Sequence, residues 1–272
     1  MIRPTSRPWQ WRAAITPPDW HSIDANLRQR FLRVDAAVEE LAGAVERLSE
    51  VGLAGALAAP LGPHRNIHHK LSAKFSPIWE PIDLSFARRE HAVLAHFSYL
   101  DSKNSLPPSR KILSDIVQHF TGSGLLRTRA IATNADPAGR HVVFINPEAI
   151  SSQLELLDTF LETCKEVSPA FRAIIALVMI TNCHPFPDGN GRAARAFFNA
   201  LLDQKGPLGR FYLPLKEIAI FSRGGYIIRV RQAEIHGDWE PIADFTGAAC
   251  QLWHQHVEGE LIRVGKRNSR VV

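Results

Sequence analysis

The sequence predicts a mainly α-helical fold, a bundle of helices with one β-hairpin, preceded by an N-terminal helical extension. Apolar residues recur at helical spacing through most of the 272 residues, whereas residues 129–145 have a strand-like pattern. The composition, 45% hydrophobic and 22% charged, suits a globular protein with a sizeable core. We divide the chain into an arm with a helical extension (1–85), a domain (86–260) and a basic tail (261–272).

The first 22 residues predict an arm rather than a helix. Pro17-Pro18 interrupts any helical period, and Trp9, Trp11 and Trp20 lie among further prolines. We expect these indoles to pack on the body of the protein.

A long amphipathic helix is predicted at residues 27–48. Its apolar residues are spaced alternately four and three apart, and Asp24 is placed to cap the first turn. Such a stripe packs inside the chain or forms the seam of a coiled-coil dimer, so a homodimer stays open at this stage. Residues 52–65, rich in glycine and proline, are interpreted as a break and linker.

The predicted domain contains further helices and the one hairpin. Helices are predicted at 90–100, 109–120, 147–167 and 171–180, the last of them apolar nearly all round and therefore buried. The hairpin joins residues 129–133 to residues 141–145 through a segment rich in turn formers.

Composition and charge argue against several classes of protein. The net charge of +5 comes from scattered Lys and Arg residues, apart from the tail, so nucleic acid is not an expected partner. The three cysteines are odd in number and far apart, which argues against disulfides and CxxC metal sites. No apolar run has the length of a membrane span, and no apolar leader is present. The expected location is the cytoplasm, although a leaderless secretion route for effectors would leave no mark in the sequence.

Twelve residues from His184 to Arg195 form the segment best suited to chemistry. They link the buried helix to a further predicted helix, so the loop is mounted on a core. Gly189 and Gly191 lack Cβ atoms and lie where a helix begins, so backbone N–H groups there can approach a phosphate. Asn190 between them adds a side-chain amide.

The charged side chains of this loop suit phosphate chemistry. Arg192 and Arg195 lie three residues apart, and guanidinium groups bind phosphate oxygens in a bidentate way. Asp188 is a lone carboxylate beside the anion seat, which is how Mg²⁺ is usually held together with phosphate oxygens. His184 can accept a proton at neutral pH. The loop therefore predicts phosphoryl or nucleotidyl transfer.

The same twelve residues resemble the signature of the Fic family, HPFx[D/E]GN[G]RxxR, without a departure. Two other segments are similar to family elements. Residues 124–127 have Leu126 where an aromatic residue is usual, and residues 225–238 have Ile227 where a second tyrosine is common. The resemblance covers about residues 86–256 and implies a Fic-type helical bundle with a hairpin flap.

This resemblance implies a protein adenylyltransferase, which moves AMP from Mg·ATP to a Ser, Thr or Tyr hydroxyl of a target protein. In that assignment His184 deprotonates the hydroxyl and Asp188 holds Mg²⁺ on the phosphates. The residues implied to bind nucleotide are Asp188, Gly189, Asn190, Gly191, Arg192, Ala193, Ala194 and Arg195, with Tyr226, Ile227 and Glu234 at the adenine. Relatives with Lys at the position of Gly191 transfer a different phosphate, so this glycine favours AMP transfer.

The resemblance also implies that a target protein docks on the flap. The flap residues Val142, Val143, Phe144 and Ile145 would pair with the target backbone as an added strand.

The resemblance also implies that a glutamate can inhibit the protein. Many relatives carry an [S/T]xxxE[G/N] helix whose glutamate pairs with the second motif arginine, here Arg195. Glu80 is the best candidate, although Pro81 stands where Gly or Asn belongs, and Glu258 is a weaker one. If neither acts, a separate antitoxin-like protein would supply the glutamate, or inhibition is absent.

Two alternatives to AMP transfer stay open. Removal of AMP from a modified protein needs a glutamate in the cleft to position water, so it depends on Glu80 reaching Arg195. A non-catalytic module that senses nucleotide would use the same pocket without any transfer.

Overall fold

A computed structural model describes residues 8–11, 13–48, 52–62, 65–72, 81–94, 96, 107–134, 141–202 and 211–268. These residues are mainly helical, as predicted. The helices are α1 (Ala25–Glu46), α2 (Gly52–Ala58), α3 (Arg65–Leu71), α4 (Ser85–Leu94), α5 (Ser109–Thr121), α6 (Ile150–Thr163), α7 (Pro169–Cys183), α8 (Asn190–Leu202), α9 (Leu215–Phe221), α10 (Gly225–His236) and α11 (Glu240–Asn268). The strands are β1 (Pro8–Trp11) and β2 (His141–Val143), and a 3-10 turn at Pro147–Ala149 precedes α6.

The core is centred on α7 and on α8, which packs along it. α7 is buried on nearly every side, as its apolar sequence predicted. Pro169 occupies its first turn, and the Ser168 hydroxyl caps it by accepting a hydrogen bond from the Phe171 N–H (3.0 Å). The loop between α7 and α8 is therefore held by a packed helix at each end.

The apolar stripe of α1 is buried within the chain, chiefly against α11. The Asp24 carboxylate accepts a hydrogen bond from the Leu27 N–H (2.9 Å), which confirms the predicted cap. Because this stripe already has a partner inside the chain, it does not supply a coiled-coil seam.

Two predicted boundaries were wrong. Residues 52–65 are not a linker throughout, because α2 forms at their start and buries Leu53, Ala56 and Leu57. Alanine and leucine favour a helix there once one face is covered. The helix predicted to begin at Glu90 begins five residues earlier, at Ser85.

The N-terminal arm packs on the core through Trp20. Its indole lies 5.0 Å from the Phe171 ring and 6.4 Å from the Phe31 ring, centroid to centroid, as expected for a packed arm. The side chains of Trp9 and Trp11 lie outside the described residues.

The predicted hairpin is present, and a further strand joins it. Thr133 donates its N–H to the Val142 carbonyl (2.9 Å), and Phe144 donates to the Ile131 carbonyl (3.0 Å), in antiparallel pairing. The connecting residues 135–140 lie outside the described part of the chain. β1 pairs with β2 in parallel, a contact that the sequence did not predict.

The three cysteines are buried in the fold. Cys164, Cys183 and Cys250 are thiols that form no disulfide, and burial raises the pKa of Cys183 and of Cys250 to about 12.

Within the described ranges, every helix is too short or too polar to cross a membrane.

Candidate active site

His184 ends α7 and faces a cleft. Its backbone is left-handed (φ 49°), an uncommon conformation for a residue with a side chain, and its N–H donates to the Ile180 carbonyl (2.9 Å). The Phe144 ring of the flap stacks on the imidazole, with centroids 4.0 Å apart and planes 23° apart. The structure therefore brings the predicted base and the flap into direct contact. Such a conformation persists only where the surroundings hold it, which is typical of functional sites.

Arg127 supplies much of that support. It is 4% exposed, and its guanidinium donates to the carbonyls of His184 (2.7 Å), Ile145 (2.6 Å), Cys183 (3.3 Å) and Arg129 (3.1 Å). Burial lowers the pKa of Arg127, but the four carbonyl oxygens suit its cationic form. One side chain thus joins the end of the flap at Ile145 to the loop that begins at His184.

Asn190 differs from the role predicted for it. Its side chain is 2% exposed and forms two hydrogen bonds with the backbone of Phe186. The amide oxygen accepts from the Phe186 N–H (2.8 Å), and the amide nitrogen donates to the Phe186 carbonyl (2.7 Å). The amide therefore braces the loop instead of facing the cleft. Its backbone N–H, in the first turn of α8, has no partner within the helix and stays suited to an anion.

Gly189 is required by its surroundings. Its φ of 85° lies in the region that favours glycine, and an added Cβ would come within 3.2 Å of Thr121 and 3.3 Å of Val117 on α5. Its N–H donates to the Oδ1 atom of Asp188 (2.6 Å) in this state. A nucleotide at this position would have to compete with that carboxylate.

The cleft has a volume of about 450 Å³ and is lined on one side by the loop and on the other by α4. Its cationic side chains are Arg89, Arg192, Arg195 and Lys216. The described lining residues that sequence reasoning missed are Phe86, Arg89, Glu90, Phe120 and Lys216. No local motif marks them, because they come from three separate elements.

Asp188 and Arg192 form an ion pair at the mouth of the cleft. The Arg192 Nη2 atom lies 2.9 Å from Asp188 Oδ2, and its guanidinium lies 5.1 Å from the centre of the Phe120 ring. The Asp188 side chain is 78% exposed. Among the described residues no group of three His, Cys, Asp or Glu side chains surrounds a metal position. A lone exposed carboxylate fits Mg²⁺ that arrives on a nucleotide, because this ion keeps waters and phosphate oxygens as its other ligands.

Arg195 is engaged by Glu90 of α4. The Arg195 Nε atom lies 3.1 Å from each carboxylate oxygen, and its Nη2 atom also pairs with Oε1. The Tyr212 hydroxyl donates to Glu90 Oε2 (2.8 Å), and Glu90 is only 2% exposed. Burial alone would lower the pKa of Arg195, but the Glu90 charge reverses this and raises it. Burial, together with the same charge, raises the pKa of Tyr212 well above its ordinary value, so the phenol remains a donor.

The glutamate that meets Arg195 is therefore neither of the two candidates chosen from the sequence. Glu80 lies outside the described residues. Glu258 pairs with Arg47 and lies near His254 on its own helix. Glu90 was missed because the residue four positions before it is Phe86, not Ser or Thr, so the motif spacing does not mark it.

The residues assigned to adenine are not brought together at the described wall of this cleft. Tyr226 is buried, packs on Phe245 (centroids 5.7 Å apart) and has its pKa raised to about 12 by burial. Ile227 is 52% exposed, and Glu234 pairs with Arg231 (3.3 Å). Their contact with nucleotide stays a prediction.

Ala193 and Ala194 lie inside α8, at 0% and 1% exposure. The Ala193 N–H donates to the Gly189 carbonyl (2.9 Å), so it is already used within the first turn, and the contact of these two residues with nucleotide stays a prediction. Their side chains serve the packing of α8 in the core.

The region around the cleft is similar to a known protein family. Residues 107–202 match the family model of the Fic/DOC family. This part of the chain is therefore similar to the Fic/DOC family. A crystal structure of a Fic family protein from Desulfovibrio desulfuricans G20 shares the fold, with a TM-score of 0.58 over 92% of this chain and 77% of that one, at 15% identity.

Two curated relatives are named as protein adenylyltransferases. A probable protein adenylyltransferase of Aquifex aeolicus (strain VF5) is 31% identical over 88 residues, 32% of this chain and 25% of that protein. Protein adenylyltransferase fic-1 of Caenorhabditis elegans is 29% identical over 146 residues, 49% of this chain and 27% of that protein. The matched part thus spans about a quarter of the length of each relative.

Proposed function

We propose that this protein transfers AMP from Mg·ATP to a Ser, Thr or Tyr hydroxyl of a target protein. The observation that supports this best is the cleft itself, where the His184 imidazole, the Asp188 carboxylate and the first turn of α8 meet. The names of the curated relatives agree with this chemistry.

Each described group has a role in the proposed reaction. His184 accepts the proton of the attacking hydroxyl, which forms a bond to the α-phosphorus while pyrophosphate leaves. Backbone N–H groups at the start of α8 stabilise the charge that develops on the α-phosphate. Arg192 and Arg195 bind the outer phosphates, with Lys216 near the same opening. Asp188 would hold Mg²⁺ together with phosphate oxygens, and the ion would neutralise further charge there.

The flap would position the hydroxyl. Phe144 already rests on His184, so an extended target segment paired with residues 142–145 would present its side chains beside the base. Correct placement of this kind accounts for much of the rate in two-substrate reactions.

Glu90 would hold the enzyme in a low-activity state. It occupies the Arg195 guanidinium with both carboxylate oxygens, so the terminal phosphates would have to displace it. A nucleotide bound without Arg195 would lack one of its anchors, and its α-phosphate would be poorly aligned.

The experiment compares variants on ATP labelled at the α-phosphate. Purified Glu90→Ala protein in a cell lysate should label at least one protein, faster than the unmodified chain does. Adding His184→Ala should reduce labelling by roughly 10²–10⁴-fold, the range expected for loss of a general base. His236→Ala, on an exposed side chain at the end of α10, is the matched control and should change nothing.

ATP labelled at the γ-phosphate should leave no label on protein. If Glu90→Ala binds Mg·ATP and labels nothing, AMP transfer is wrong and the nucleotide-sensing alternative gains support.

Removal of AMP is a second candidate, because a glutamate does reach the cleft. There Glu90 would orient a water molecule toward a modified side chain. The two candidates respond oppositely to one change, since Glu90→Ala raises AMP transfer but abolishes AMP removal. Incubation with an AMP-modified protein preparation separates them.

A further inference from the structure

The flap strand β2 has two edges, and both are occupied within this chain. Val142 and Phe144 direct their backbone groups to residues 131–133. Because backbone groups alternate along a strand, those of His141 and Val143 face the other way. β1 lies on that side, with Gln10 opposite Val142 and Trp11 opposite Val143.

The arm is anchored where it leaves this edge. The Gln153 amide exchanges two hydrogen bonds with Ile15, accepting from its N–H (3.0 Å) and donating to its carbonyl (2.9 Å). The Asn182 amide donates to the Ala13 carbonyl (2.8 Å). Gln153 and Asn182 are 3% and 2% exposed, so two buried amides are devoted to the arm backbone.

These anchors fix the path of the arm past the candidate base. Asn182 lies two residues before His184, and Phe144, next to the paired strand, stacks on the imidazole. Any extended segment on the outer edge of β2 therefore runs close to His184. The groups that this edge offers are backbone N–H and C=O, which recognise another extended backbone.

We propose that β1 occupies the outer edge of β2, the edge on which a target segment would dock, and that such a segment binds only by displacing β1. This proposal rests on the proposed function for the identity of the competitor, a segment of a target protein in extended conformation. A strand tethered in the same chain competes at an effective concentration of about a millimolar, so it strongly disfavours weakly pairing segments. Recognition then depends on a partner that pairs better than residues 8–11.

The first experiment measures binding of a labelled synthetic peptide that copies residues 6–14. A variant lacking residues 1–12 should bind it, whereas the full chain should bind it roughly tenfold or more weakly, because its own strand fills the edge. A peptide of scrambled sequence containing an extra proline is the control. Equal affinity for the two proteins, or no binding to the shortened one, would overturn the proposal.

The second experiment avoids truncation and compares Gln10→Pro with Gln10→Ala. The parallel register directs the N–H and C=O of Gln10 toward β2, so proline removes a donor that alanine keeps. Hydrogen exchange at the Val143 amide should quicken several-fold in Gln10→Pro alone. The Phe144 amide, bonded to Ile131, is the internal reference and should not change.

Unchanged exchange at Val143 in Gln10→Pro would also contradict the proposal. Neither measurement uses nucleotide, so a failure of AMP transfer leaves both interpretable, and failure here leaves the transfer chemistry untouched.

Discussion

At the scale of single residues, the candidate site is supported by two side chains that hydrogen-bond to its backbone. Asn190 braces the loop through Phe186, and Arg127 ties the flap to His184. His184, the predicted base, is held in a left-handed backbone conformation that these contacts support.

Arg127→Lys tests this support. Lysine keeps the charge but cannot reach four carbonyls from one planar group, so we expect a loss of about 2–4 kcal/mol in the free energy of unfolding. Denaturant titration measures it. Arg129→Lys, on an exposed neighbour, is the control and should be nearly neutral. Equal effects of the two changes would refute the bracing role.

The residues of the loop could be singled out from the sequence because the side chains suited to phosphate chemistry follow one another closely in the chain. Most of the twelve residues that begin at His184 were given a role, and these roles stay predictions. Glu90 could not be singled out, since it meets Arg195 from 105 positions away. Tyr212 could not either, since its hydroxyl donates to Glu90 from 122 positions away, and no motif marks either residue. The Asn190 side chain was misassigned because an amide can face a ligand or its own backbone, and only packing decides between them.

At the scale of elements, α4 brings Glu90 to Arg195 at the wall of the cleft. Its first turn is held by Glu217 of α9, whose Oε1 atom accepts the Ala87 N–H (2.9 Å). Glu217 is fully buried, and its Oε2 atom has no hydrogen-bond partner among the described residues. Burial raises the pKa of this carboxyl.

The raised pKa of Glu217 predicts a dependence on pH. The folded state holds the proton more tightly than the unfolded state, whose pKa is near the ordinary 4.5. The contribution of this proton to stability is complete below that value and is lost as pH rises through the folded pKa. Glu217→Gln should therefore gain stability relative to the unmodified chain as pH increases from about 4.5.

Thermal unfolding of both proteins across pH 4 to 8 measures this difference, with roughly equal stabilities expected at the acid end. Glu148→Gln, on an exposed carboxyl, serves as control. A stability difference that stays constant with pH would show that Glu217 does not titrate differently on folding.

Elements whose apolar residues recur at a regular helical spacing were predicted well. Elements that form through contacts between distant parts of the chain were not. The stripe at residues 27–48 identified α1 because one face is buried along its whole length. β1 was missed because its pairing partner lies about 130 residues away and four residues carry too little pattern. α2 was mistaken for a linker because its glycines obscured three buried apolar residues.

At the scale of the whole molecule, the N-terminal region is built into the core rather than appended to it. Phe31 of α1 and Phe171 of α7 pack edge to face at 5.0 Å, with Trp20 of the arm against both. The arm, α1 and the helix that ends at His184 therefore share one cluster.

Phe31→Ala should consequently weaken the entire fold. Phe31 is fully buried, so we expect a loss of about 3–5 kcal/mol in the free energy of unfolding, with one transition by all probes. Leu32→Ala, at the adjacent position with 41% exposure, should cost far less. Separate transitions for the two regions would instead indicate that the N-terminal region folds independently of the domain.

The most direct test of the account is a crystal structure of Glu90→Ala with Mg·ATP. We expect the triphosphate at the start of α8, the α-phosphate between His184 and the flap, Mg²⁺ on Asp188, and Arg195 on the terminal phosphates in place of the lost carboxylate. A nucleotide bound elsewhere, or bound here with its α-phosphate turned away from His184, would contradict the proposed chemistry.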